Sequence, residues 1–89
     1  MENKVTENQS LVGATVYILK YTAIQSNSIL CGNIGVYATE RRAINIMAEL
    51  TTNLIENGFL LSHRSNLERV LCNPLKEERR LFIEPEIIH

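Results

Sequence analysis

The residues best suited to chemistry cluster in one short stretch. Arg64, Arg69, Lys76, Arg79 and Arg80 fall between positions 63 and 80, offset by Glu68, Glu77 and Glu78 for a local balance of +2. Arginine carries a planar guanidinium that grips phosphate or carboxylate through paired hydrogen bonds. Arg64, Arg69, Arg79 and Arg80 are therefore the candidate contacts for an anionic ligand. Tyr17, Tyr21, Tyr37, Phe59 or Phe82 could supply a stacking face for a nucleotide or a single strand. The competing reading of Glu77-Glu78-Arg79-Arg80 is a solvated charge run beside a turn, in which each exposed ion pair contributes about 0–1 kcal/mol. A glycine-rich phosphate loop does not support the ligand reading, because Gly32-Asn33-Ile34-Gly35 reads as strand and not as a strand-to-helix turn.

Nucleophilic and metal chemistry find less support. Ser62 and His63 are adjacent, and neighbours on a strand point to opposite faces. Cys31 and Cys72 form no C-x-x-C and lie among apolar residues, so both read as small buried hydrophobes in a reducing compartment. His63 and His89 are too few and too scattered for a metal site. The chain has no Asp, which removes a common catalytic carboxylate, although Glu can replace it. No catalytic residue, metal ligand or cofactor is assigned, and the chain reads as a non-enzyme.

The elements that must carry these residues fit one domain of 89 residues, of which 45% are hydrophobic and 21% charged. A net charge of −1 gives no global field toward duplex nucleic acid or an acidic membrane, and little protection against self-association. No apolar run approaches the ~20 residues needed to span a bilayer. Residues 1–10 are polar and read as a flexible tail without the apolar region of a signal peptide, so a cytoplasmic location is expected. The domain is assigned to residues 11–89.

Ala14 to Ile24 is rich in β-branched and aromatic residues on both alternating faces, so it is buried on both sides or meets a partner on one. Gln25-Ser26-Asn27-Ser28 signals a turn, and Ile29 to Ala38 returns as the second strand of a hairpin. Gly32 and Gly35 mark a bulge or a close backbone approach. Thr39 is the N-cap of an amphipathic helix that ends at Asn57-Gly58. Ala43, Met47, Leu50 and Leu54 form its central stripe. The whole apolar arc spans roughly 200°, wider than the ~100° needed to cover one core.

Phe59-Leu60-Leu61 opens a further strand, and Leu67 to Cys72 pairs across a turn with Arg80 to Glu84. The alternative is a short helix near residues 66–71, because Ser65-Asn66-Leu67-Glu68 matches a capping box. Pro85 cannot donate to a ladder, so the last strand should lie at an edge or end there.

The fold class is α+β: a two-layer β-β-α-β-β arrangement, mainly antiparallel, with one helix on one face. The order Val16-Tyr17-Ile18-Leu19, then Gly35-Val36-Tyr37-Ala38-Thr39-Glu40, then Ala43, resembles a class of small bacterial and phage proteins in which a "GVY-S/T" strand end caps a helix. The resemblance covers roughly residues 14–60. It implies an α+β fold and no activity, and it carries over no functional residue.

The excess helix flank at Ile44, Ala48 and Ile55, together with the Ile87-Ile88 tail, exceeds what a two-layer monomer needs. These five residues are the candidate interface of a homodimer. The leading expectation is a non-enzymatic accessory or inhibitor that occupies a protein partner's surface; the bacterial or phage setting rests on the resemblance alone. The alternative is a protein that binds or sequesters a nucleotide or anionic small ligand, using the arginines at a dimer interface.

Overall fold

The structure is a computed structural model that describes residues 13–89. The tail assigned to residues 1–10 lies outside the described residues. Among the described residues there are five strands, β1 (Thr15–Gln25), β2 (Ser28–Tyr37), β3 (Leu60–Ser65), β4 (Glu68–Cys72) and β5 (Glu78–Ile87), and one helix, α1 (Glu40–Glu56), which falls between β2 and β3 in the chain. They form one antiparallel sheet in the order β2-β1-β5-β4-β3. The class is α+β as the sequence implies, with three strands after the helix instead of two.

Both helix ends form where the sequence places them. Thr39 is extended and its hydroxyl accepts from the Arg42 N–H at 3.1 Å, satisfying one of the unpaired donors of the first turn. At the other end Gly58 takes φ +97°. Its N–H donates to the Ile55 carbonyl at 3.1 Å and that of Phe59 to the Leu54 carbonyl at 3.0 Å. This double bond pattern is a Schellman motif, which needs the left-handed conformation that glycine adopts without penalty.

The core is the face of the sheet under α1. Leu19 from β1, Leu81 and Ile83 from β5, and Ala43 and Met47 from α1 form the buried cluster. Tyr17, Tyr21 and Tyr37 pack against its rim. Alternation then sends Val16, Ile18, Lys20, Thr22 and Ile24 to the opposite face. Among the described residues β1 is covered on one side only, and Val16 and Ile18 are half-buried.

Leu67 to Cys72 pairs with the last strand as the sequence favours, and two expectations, an edge position for that strand and two buried cysteines, are corrected. The helix near 66–71 does not form. Ser65 and Glu68 instead close a two-residue turn between β3 and β4, and the period-2 pattern that buries Arg69 and Leu71 is that of a strand. The last strand is not an edge, since β5 is central and bonded to both β1 and β4. Pro85 is tolerated because the pairing with β4 runs out at Phe82, so β5 is locally an edge beyond it. Cys31 is exposed, not buried, because alternation places it on the face away from α1; Cys72 is half-buried. The glycines in β2 serve both roles considered. The register slips between Leu19 and Lys20, leaving Ile34 as the bulged residue beside Gly35. A side chain at Gly32 would meet the Tyr21 ring at 3.1 Å.

The loop between β4 and β5 is held by Asn73. Its side-chain oxygen accepts from the Glu77 N–H at 2.9 Å, and its amide donates to the Glu77 carboxylate at 2.8 Å.

Met47 is fully buried at the centre of the cluster. Met47→Ala removes those contacts and leaves a cavity, so urea unfolding is expected to show a loss of about 2–5 kcal/mol. Ala48→Ser, on the exposed side of the same helix, is expected to change stability by less than about 0.5 kcal/mol.

Candidate functional site

The β3–β4 hairpin brings two arginines together. Leu61 pairs with Leu71, His63 with Val70 and Arg64 with Arg69, so Ser62 is an extra residue in β3. Residues three apart on a regular strand face opposite sides; the bulge at Ser62 sets Leu61 and Arg64 on the same side, toward α1. The Ser62 hydroxyl secures the bulge by donating to the Val70 carbonyl at 3.0 Å.

Arg69 is only 7% exposed. Its Nη1 donates to the carbonyls of Ser65 and Glu68, the latter at 2.9 Å, which locks the guanidinium over the hairpin turn. Burial lowers its pKa from the usual arginine value, and the neighbouring Arg64 charge lowers it further. Arginine nonetheless stays protonated at any working pH. The nearest carboxylate in sequence, Glu68, points to the other face. There it meets Arg80 at 3.0 Å and His63 at 3.7 Å. Among the described residues, no carboxylate forms an ion pair with Arg64 or Arg69. Among these residues, two like charges directly opposite each other on neighbouring strands are therefore left without a carboxylate, an unfavourable arrangement.

These arginines border a groove of about 260 Å³ whose walls are Ala48, Thr51, Thr52 and Ile55 of α1 and Leu61 of β3. The Thr51 and Thr52 hydroxyls donate to the carbonyls of Met47 at 2.8 Å and Ala48 at 3.1 Å. With those protons and the Arg69 Nη1 committed, the free side-chain donors of the groove are the Arg64 guanidinium and the remaining N–H groups of Arg69. Chemically it is an apolar trough with a cationic lip, suited to a carboxylate-bearing segment with apolar side chains.

The other sequence-picked residues lie elsewhere. Arg79 sits 4.9 Å over the Phe59 ring and donates to the Glu78 carbonyl, beside a second pocket of about 240 Å³ that includes Tyr21, Ile34, Leu50 and Leu54. Arg80 also borders that pocket, and its Nε meets Glu68 on the open face. The four arginines thus do not form one site. The arginine groove has no aromatic residue in its lining, so it offers no stacking face for a base. Ala48 and Ile55 line this groove, whereas Ile44 packs against the core cluster. Ile87 ends β5 opposite Thr15, and the Ile88 N–H donates to the Ala14 carbonyl at 2.9 Å. Ser62 and His63 do not pair, since the serine serves Val70 and the histidine faces Glu68. Sequence reasoning missed Leu61, Thr51 and Thr52 as lining residues, and the Arg64–Arg69 pairing depends on a register that the sequence does not display.

No family model, curated protein or solved structure gives a significant match to this chain. No helix among the described residues is long and apolar enough to cross a membrane.

Arg64→Glu replaces a like-charge pair by an opposite-charge one across β3 and β4. Urea unfolding is expected to show a gain of roughly 0.2–1 kcal/mol. Arg64→Gln should fall between the two, and an order in which glutamate is the least stable would contradict the geometry.

Proposed function

We propose that this chain is a small non-enzymatic interaction protein, a homodimer that acts as an accessory or inhibitor by occupying a partner's surface. Its contact for the partner is the groove between α1 and β3, and the occupant is an acidic segment with apolar side chains. The observation that carries this reading is the uncompensated Arg64–Arg69 pair at the rim of an otherwise apolar groove. A carboxylate from a partner would relieve the repulsion between the two guanidinium groups and gain charge-assisted hydrogen bonds. Ala48, Ile55 and Leu61 would meanwhile bury apolar area that the isolated chain leaves open. The groove joins two sets of residues that the sequence offered separately, the helix flank and the arginines. A nucleotide at the same arginines is less well supported, because no aromatic side chain is close enough to stack on a base.

The test is fluorescence anisotropy with two short labelled peptides of alternating Glu/Leu and Lys/Leu composition. The acidic peptide is expected to bind saturably, more weakly as salt rises because exposed charges are screened, and to lose at least tenfold in affinity with Arg64→Glu. Equal binding of the two peptides, or binding indifferent to Arg64→Glu, would overturn the reading.

A further inference from the structure

The two edges of the sheet are built differently. β3 is a six-residue edge interrupted by the Ser62 bulge and carrying His63 and Arg64. Bulges and charges are the usual means by which an edge resists pairing with another chain. β2 is ten residues long and has no such charge. No charged residue stands between Lys20 and Glu40, so the whole of β2 and the turn before it is neutral. Its side chains are also apolar and open, with Ile29 67%, Leu30 57% and Val36 59% exposed. The bulge at Ile34 breaks the outer half, which leaves Ser28–Asn33 as a regular run whose outer backbone groups have no strand partner among the described residues.

We infer that β2 is the homodimer surface, and that its occupant is the same segment of a second copy, paired antiparallel about a two-fold axis perpendicular to the sheet. This inference rests on the homodimer reading above and names its interface. Neutrality favours a second copy over a charged partner. Self-pairing sets each residue opposite one of the same strand, and any charge there would face its own image or a near neighbour. A perpendicular two-fold keeps each face of the sheet on its own side, so opposed residues must share a face. The central register over Ile29–Asn33 therefore sets Cys31 opposite the Cys31 of the second copy, Leu30 opposite Gly32 and Ile29 opposite Asn33. Opposite Cα atoms in such a pair lie about 4.5–5.5 Å apart. The result is a continuous ten-stranded sheet with both helices on one face, and it leaves the arginine groove of each copy free.

The full chain is tested by light scattering, near-millimolar to dilute, alongside an Ile29→Lys/Cys31→Lys double variant. The unaltered chain is expected to show twice the 10.1 kDa mass, falling on dilution. The double variant should remain at one copy, keep its circular-dichroism melt and still bind the acidic peptide. A single-copy mass for the unaltered chain throughout overturns the dimer and this edge, yet leaves the groove to stand on its peptide data. A dimer that survives both lysines overturns the edge alone. If the double variant fails to fold, Cys72→Ser with a short bis-maleimide decides: a covalent dimer through Cys31 supports the pairing, and a chain modified only as a monomer at the same concentration overturns it.

Discussion

One helix cannot cover five strands. Strands spaced ~4.8 Å apart make this sheet about 19 Å across, whereas a helix with its side chains is about 10 Å wide. α1 lies over β1 and β5, where Met47 and Ala43 meet Leu19, Leu81 and Ile83. The outer strands project beyond it on both sides. Each flank of the helix therefore overlooks a trough floored by an uncovered strand: Ile34 of β2 on one side, Leu61 of β3 on the other. The wide apolar arc follows from this geometry. Ile44 reaches the core, while Ala48 and Ile55 stand over the β3 trough.

The same constraint explains why the two edges carry the functional reading. β5 joins the β1–β2 hairpin to the β3–β4 hairpin and is paired on both sides. The hairpins hang from it like two leaves, and α1 lies over β5 and β1 while its flanks reach β2 and β3. The β3 leaf is shaped by charge: Arg69 is locked over its turn, Arg64 faces it, and Glu68 is turned away to serve Arg80 and His63. The β2 leaf is shaped by neutrality, with Tyr21 covering Gly32 on the helix side and Ile29, Cys31 and Val36 left on the other. One leaf presents guanidinium groups beside an apolar groove, and the other a neutral strand whose outer backbone groups have no strand partner among the described residues.

Much of the fold was legible because it is local. Thr39, Gly58 and the turn at Ser26-Asn27 act within a few residues, and hydrophobic period alone separates α1 from the first hairpin. What was hidden depends on contacts distant in sequence. Ser65-Asn66-Leu67-Glu68 carries the chemistry of a helix start, but β4 gains more by burying Leu71 and pairing with β5. Pro85 looked like an edge marker, and it is one only for the stretch past the end of β4. The juxtaposition of Arg64 with Arg69 follows from a single inserted residue at Ser62, and alternation counted without that bulge sends Leu61 and Arg64 to opposite faces. Cys31 looked buried because its neighbours are apolar, although those neighbours are themselves exposed on the edge.

The central claim is that the two leaves are separate surfaces with different occupants. A residue-resolved NMR titration of the uniformly labelled chain with the acidic peptide tests it most directly. Amide shifts are expected to concentrate on Ala48, Thr52, Ile55, Leu61, Arg64 and Arg69 while Ser28–Asn33 stay in place. Shifts centred on Ser28–Asn33, or spread evenly over the sheet, would contradict it.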